Sequence, residues 1–83
     1  MSAKTLFMNL GYEQTREDND YIIYEKNIDE GQNKKIVSFS DQLKSVNVSF
    51  ELGSDTPSID ISLYKAITQQ LNELGWILSS IWK

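Results

Sequence analysis

Residues 45–52, Ser-Val-Asn-Val-Ser-Phe-Glu-Leu, alternate polar and apolar side chains without a slip. A period of two places Val46, Val48, Phe50 and Leu52 on one face of a strand and Ser45, Asn47, Ser49 and Glu51 on the other. The pattern predicts one buried face and one wet face. Just upstream, residues 35–40 read Lys-Ile-Val-Ser-Phe-Ser and set Val37 and Phe39 on one face, Ser38 and Ser40 on the other. If residues 41–44 close a four-residue hairpin loop, Ser40 meets Ser45, Phe39 meets Val46 and Val37 meets Val48. A slip of one residue would oppose apolar to polar side chains throughout, so the two patterns specify the register together. The rest of the chain must be fitted to this antiparallel hairpin.

Residues 20–26, Asp-Tyr-Ile-Ile-Tyr-Glu-Lys, are β-branched and aromatic and predict a third strand. Both of its faces are apolar; the pair Ile22 and Tyr24 is favoured as the inward one. Gly31 and Asn33 supply turn residues for the loop that follows. Residues 2–10 carry Ala3, Leu6, Phe7 and Leu10 at the spacing of one helix face, with Ser2 as N-cap. Near the other end, Leu63, Ala66, Ile67, Gln70, Leu71 and Leu74 line one face of a helix over residues 63–74, with Ser62 as its expected N-cap. Residues 13–20 are polar and mostly acidic and read as an exposed loop. Gly53 and the single proline break the chain before residues 59–61, Ile-Asp-Ile, which are available as a short fourth edge strand. The expectation is one α+β domain over residues 1–83 in the order αβββα. In it, a three-stranded antiparallel sheet has a short N-terminal helix and a longer C-terminal helix packed on one face.

Two stretches echo each other: Phe7-Met8-Asn9-Leu10-Gly11-Tyr12 and Leu71-Asn72-Glu73-Leu74-Gly75-Trp76. In both, the glycine follows the last residue of a helical pattern. A glycine just past a helix end takes the left-handed conformation without a β-carbon clash, and the next residue folds back over the helix. Gly11 and Gly75 are therefore read as two helix stops, with Tyr12 set against Phe7 and Trp76 against Leu71. No similarity extends across the strands between them, so the echo is not a repeat.

The composition closes off much chemistry. The chain has no cysteine and no histidine, which removes the thiolate nucleophile, the commonest general base and the usual zinc ligands. Net charge is −4 and Arg16 is the sole arginine, a balance opposed to direct binding of a phosphate backbone. Tyr21, Tyr24, Phe39 and Phe50 at strand spacing would suit stacking on bases but read as core. Asp55 and Asp60 flank a turn without the ligand spacing of a metal loop. No catalytic residue, metal site or cofactor is assigned. No apolar run reaches the ~18 residues of a bilayer span, and the opening residues lack the pattern of a signal peptide, so the expected location is cytoplasmic.

The combination of "LF..LGY", "YIIYEK" and "ISLYKAITQQLNELGW" resembles small acidic uncharacterised proteins encoded by phages, prophages and integrative elements of Gram-positive bacteria. The resemblance is densest over residues 61–76 and carries no catalytic residue with it. This chain departs from the pattern by running on past Trp76 into Ile-Leu-Ser-Ser-Ile-Trp-Lys. It also places Tyr64 and Lys65 where similar proteins often have acids.

Two surfaces stand out as candidates for contact. The segment from Trp76 to Lys83 holds both tryptophans, and five of its eight residues are large and apolar. Either it closes the core, or Trp76, Ile77, Leu78, Ile81 and Trp82 face a protein partner or a second copy. Glu13, Glu17, Asp18, Asp20, Asp29 and Glu30 form an acidic set whose plain reading is a solvated loop. Its functional reading is mimicry of nucleic-acid charge in a basic groove. The leading expectation is a non-enzymatic accessory protein acting through protein contacts, as an inhibitor or modulator of a host or competing factor. A small enzyme using carboxylates is the remaining alternative.

Overall fold

The structure, a computed structural model, describes residues 1–28, 33–52 and 57–77. Its elements run α1 (Ala3–Asn9), β1 (Glu13–Glu17), β2 (Tyr21–Asn27), β3 (Lys34–Ser40), β4 (Ser45–Phe50) and α2 (Ile61–Glu73). The four strands form an antiparallel meander in the order β1-β2-β3-β4. The hairpin register has Ser40 opposite Ser45, Phe39 opposite Val46 and Val37 opposite Val48. On the other side of β3, Ile22 lies opposite Phe39 and Tyr24 opposite Val37. One sheet face thus carries two apolar rows, Ile22-Phe39-Val46 and Tyr24-Val37-Val48.

Both helices lie over that face. Phe7 from α1 and Leu63, Ala66 and Ile67 from α2 join Tyr12, Ile22, Tyr24, Val37 and Phe39 in one core. The Phe7 ring stacks on Tyr24 at 3.9 Å and meets Tyr12 and Phe39 edge-on. Glu73, at the end of α2, accepts from the Ala3 backbone N–H at 2.7 Å. An acid from one helix thereby answers an unpaired donor in the first turn of the other, where the helix dipole favours negative charge.

Three parts of the sequence reading are corrected. Residues 13–17 form an edge strand rather than part of a loop, and this strand makes the sheet four-stranded. Their pattern shows no apolar alternation because the inward side chain of β1 is Gln14, which donates to the Tyr24 hydroxyl at 3.2 Å. Residues 57–60 pair with no strand, and α2 starts at Ile61 with Asp60, not Ser62, as its N-cap. The Asp60 carboxylate accepts from the Leu63 N–H at 2.8 Å, and an ionised cap also answers the helix dipole. Finally, β4 is less buried than its alternation predicts: Val46 is 36% exposed and Leu52, beyond the strand, 54%. The helices cover β2 and β3, and among the β4 side chains only Val48 packs against the core.

Candidate protein-contact surface

The margin left uncovered at β4 opens into a groove of about 610 Å³ between that strand and α2. Val46 forms its sheet side and Tyr64, Ile67, Thr68 and Leu71 its helix side, with Ile59 and Ile77 also lining it. All seven side chains are uncharged. Ile61, Tyr64, Thr68 and Leu71 follow one another at helical spacing, a second stripe beside the core stripe of α2. Ile61 and Tyr64 are the exposed members of that stripe, at 70% and 56%. This doubling of the apolar face was the available sequence signal for the groove residues. It was missed because a single stripe already accounted for the core.

Of the C-terminal candidates, Trp76 is half-buried against the core, with the Lys44 ammonium 5.5 Å from its ring centre. Ile77 is half-buried and lines the groove. Leu78, Ile81 and Trp82 lie outside the described residues. Gly11 and Gly75 take φ of +92° and +75° directly after the two helices. The Tyr12 N–H donates to the Phe7 carbonyl at 2.9 Å, and the Trp76 N–H to the Leu71 carbonyl at 3.1 Å. Trp76 is thereby turned back toward α2.

The described acidic candidates are spread over β1 and the turn that follows it. Glu13 and Glu17 stand at opposite ends of β1, Asp18 and Asp20 belong to the β1–β2 turn, and Asp29 and Glu30 lie outside the described residues. Asp18 is committed locally: Oδ1 accepts from the Asp20 and Tyr21 N–H groups, and Oδ2 pairs with Arg16 at 2.6 Å. The Arg16 guanidinium also lies over the Tyr21 ring, 4.7 Å from its centre. Chiefly through the Arg16 hydrogen bond, and then those from the Tyr21 and Asp20 backbone, the Asp18 carboxyl is held down at about 2. The unfolded chain therefore binds this proton first, so the stability Asp18 supplies is present above about pH 4 and lost as pH falls toward 2. A carboxyl-carbon NMR titration is expected to find the Asp18 midpoint at about 2 and to find it moved upward in Arg16→Ala. An ordinary carboxylate midpoint in the unaltered protein would rule out the clamp.

Asp18, Asp20 and Asp41 border a cleft of about 40 Å³ beside Trp76, room for a few waters. Among the described residues no three acidic side chains are grouped so as to hold a metal ion. Tyr24 and Phe39 are each 1% exposed beneath the helices, so they form core and not a stacking platform. Among the described residues no helix is long and apolar enough to cross a membrane. Comparison of the chain with family models, curated proteins and solved structures finds no match.

Proposed function

We propose that this chain is a non-enzymatic accessory protein of a phage or other mobile element that acts in the cytoplasm by protein–protein contact. Its target would be a host or competing factor that it inhibits or modulates. The observation that carries this reading is the uncharged groove between α2 and β4, with Tyr64 exposed on its helix wall and Ile77 at its margin. Exposed aromatic and branched side chains around a concave apolar site are the usual anchors of a protein contact. The resemblance to small proteins of mobile elements supports the setting. The acidic-mimic reading has less support, since Arg16 neutralises Asp18 in the middle of the acidic set.

The test is affinity purification from a Gram-positive host with the unaltered chain and with Tyr64→Glu. Placing a charge in the groove is expected to reduce recovery of a specific partner at least about tenfold, the scale of losing one interface anchor. Because Tyr64 is exposed, stability should change by less than about 0.5 kcal/mol. Equal recovery with both proteins would sink the groove as the contact surface.

A further inference from the structure

The two edges of the sheet are built differently. β1 carries Glu13, Arg16 and Glu17 and breaks its register with a bulge between Gln14 and Arg16. Charge and bulges are the devices by which sheet edges avoid pairing with other chains. β4, Ser-Val-Asn-Val-Ser-Phe, has no charge, no proline and an unbroken register against β3. Its outer edge, which pairs with no strand among the described residues, therefore lacks the protection its counterpart has.

Which backbone groups face that edge follows from one hydrogen bond. Glu51 N–H donates to the Lys34 carbonyl at 2.8 Å. In an antiparallel ladder hydrogen-bonded pairs alternate with non-bonded ones. Ser49 with Ile36, Asn47 with Ser38 and Ser45 with Ser40 are then the bonded pairs. The N–H and C=O groups of Val46, Val48 and Phe50 point the other way, and no partner for them exists among the described residues.

We propose that a second copy of this chain pairs with β4 along this edge, antiparallel about a two-fold axis through Val48. Val48 then opposes Val48 of the second copy, and Val46 opposes Phe50 of the second copy. Every opposed residue is one whose backbone donor and acceptor have no partner among the described residues, so each pair exchanges two hydrogen bonds. Opposed residues share a face, so the helices of both copies lie on the same side of one eight-stranded sheet, four strands from each copy. A shift of one residue would oppose Val46 to Ser49 or Glu51 and mate unpaired backbone groups with used ones, which excludes it. Phe50 of the second copy then stands next to Val46, the sheet wall of the groove. The flanks of β4 carry opposite charges, Lys44 before it and Glu51 after it, and the two-fold brings unlike ends together, where Glu51 of the second copy competes with Asp41, which holds the Lys44 ammonium at 2.9 Å within the chain. The pairing names a partner for the groove and rests on the reading of that groove as a protein-contact surface.

Sedimentation of the full chain from micromolar to millimolar concentration tests it. The mass is expected to rise from 9.6 kDa to twice that value. Val48→Pro removes an N–H that serves only the free edge, so the folded variant should stay at 9.6 kDa throughout. Val46→Lys puts a charge into the seam and should do the same if Val48→Pro fails to fold. In the unaltered protein the amides of Val46, Val48 and Phe50 should gain exchange protection with concentration, while those of Ser45, Asn47 and Ser49 are protected at all concentrations. A protein monomeric throughout overturns the pairing, as does a dimer indifferent to both variants. Concentration-independent protection of the three amides also overturns it, since part of this chain itself would then occupy the edge. A monomer that still loses a foreign partner through Tyr64→Glu refutes the pairing and leaves the contact reading standing. A β4-dependent dimer with equal recovery of foreign proteins upholds the pairing and removes only the foreign partner from the groove.

Discussion

Phe7→Ala is expected to remove most of the stability of this protein. Phe7 is fully buried, and its ring touches three others: stacked on Tyr24, and edge-on to Tyr12 and Phe39. It is the side chain through which the short helix α1 holds the sheet. Truncating a buried phenylalanine costs about 3–5 kcal/mol, the lost transfer energy plus the cavity left behind. At roughly 0.05–0.15 kcal/mol per residue, a chain of 83 residues has on the order of 4–12 kcal/mol in total. The midpoint of thermal unfolding should fall by at least about 12 °C, and a weakly stable parent would not fold at all. Phe7→Leu keeps the burial and loses the ring contacts, so it should cost less, about 1–3 kcal/mol. Denaturant melts of both variants decide the matter. A loss below about 1 kcal/mol for Phe7→Ala would mean that α1 does not dock as described.

The parts of this fold that were legible in the sequence are those in which one chemical pattern has one geometric solution. The alternation of Val37 and Phe39 against Val46 and Val48, with the four-residue loop between them, specifies a register because a slip of one residue would bury serines. The glycines at 11 and 75 are legible for a similar reason, since a positive φ after a helix excludes most other residues. β1 was illegible because an edge strand need not alternate. Its single inward contact is polar, and its charges, read alone, look like those of a loop. The start of α2 was ambiguous because Asp60 and Ser62 are both good caps, and only the packing of Leu63, Ala66 and Ile67 selects the helix phase that makes Asp60 the first. The groove was hidden by the same helix. Ile61, Tyr64, Thr68 and Leu71 form a stripe of their own, but whether a second stripe is covered depends on how far β4 extends beyond the helices. That is a property of the assembled layers and not of either segment.

The relay Gln14–Tyr24–Gln70 shows a third kind of dependence, in which a polar residue on a core helix face has a specific partner. Gln70 lies among apolar residues of α2 and is 5% exposed. It is tolerated because its Oε1 accepts from the Tyr24 hydroxyl at 2.6 Å, while that hydroxyl accepts from Gln14 Nε2 at 3.2 Å. Tyr24→Phe is expected to cost about 1–3 kcal/mol, the penalty of leaving the buried Gln70 carbonyl without its donor. Gln14, being half-exposed, can turn to water and adds little. Replacing both partners removes the unmet group, so Tyr24→Phe with Gln70→Leu should be more stable than Tyr24→Phe alone. A double-mutant cycle in denaturant then reads the coupling directly. Alkaline pH supplies a second readout. Burial raises the Tyr24 phenol above its usual value of 10, and burial followed by the nearby Asp60 charge raises Tyr12 as well. The unfolded chain therefore loses these protons first, and the stability they protect is complete below pH 10 and declines above it. Tyr24→Phe should make that alkaline decline shallower and leave the share due to Tyr12. Additive single and double variants, with an unchanged alkaline profile, would show that the buried hydroxyl is not bonded to Gln70.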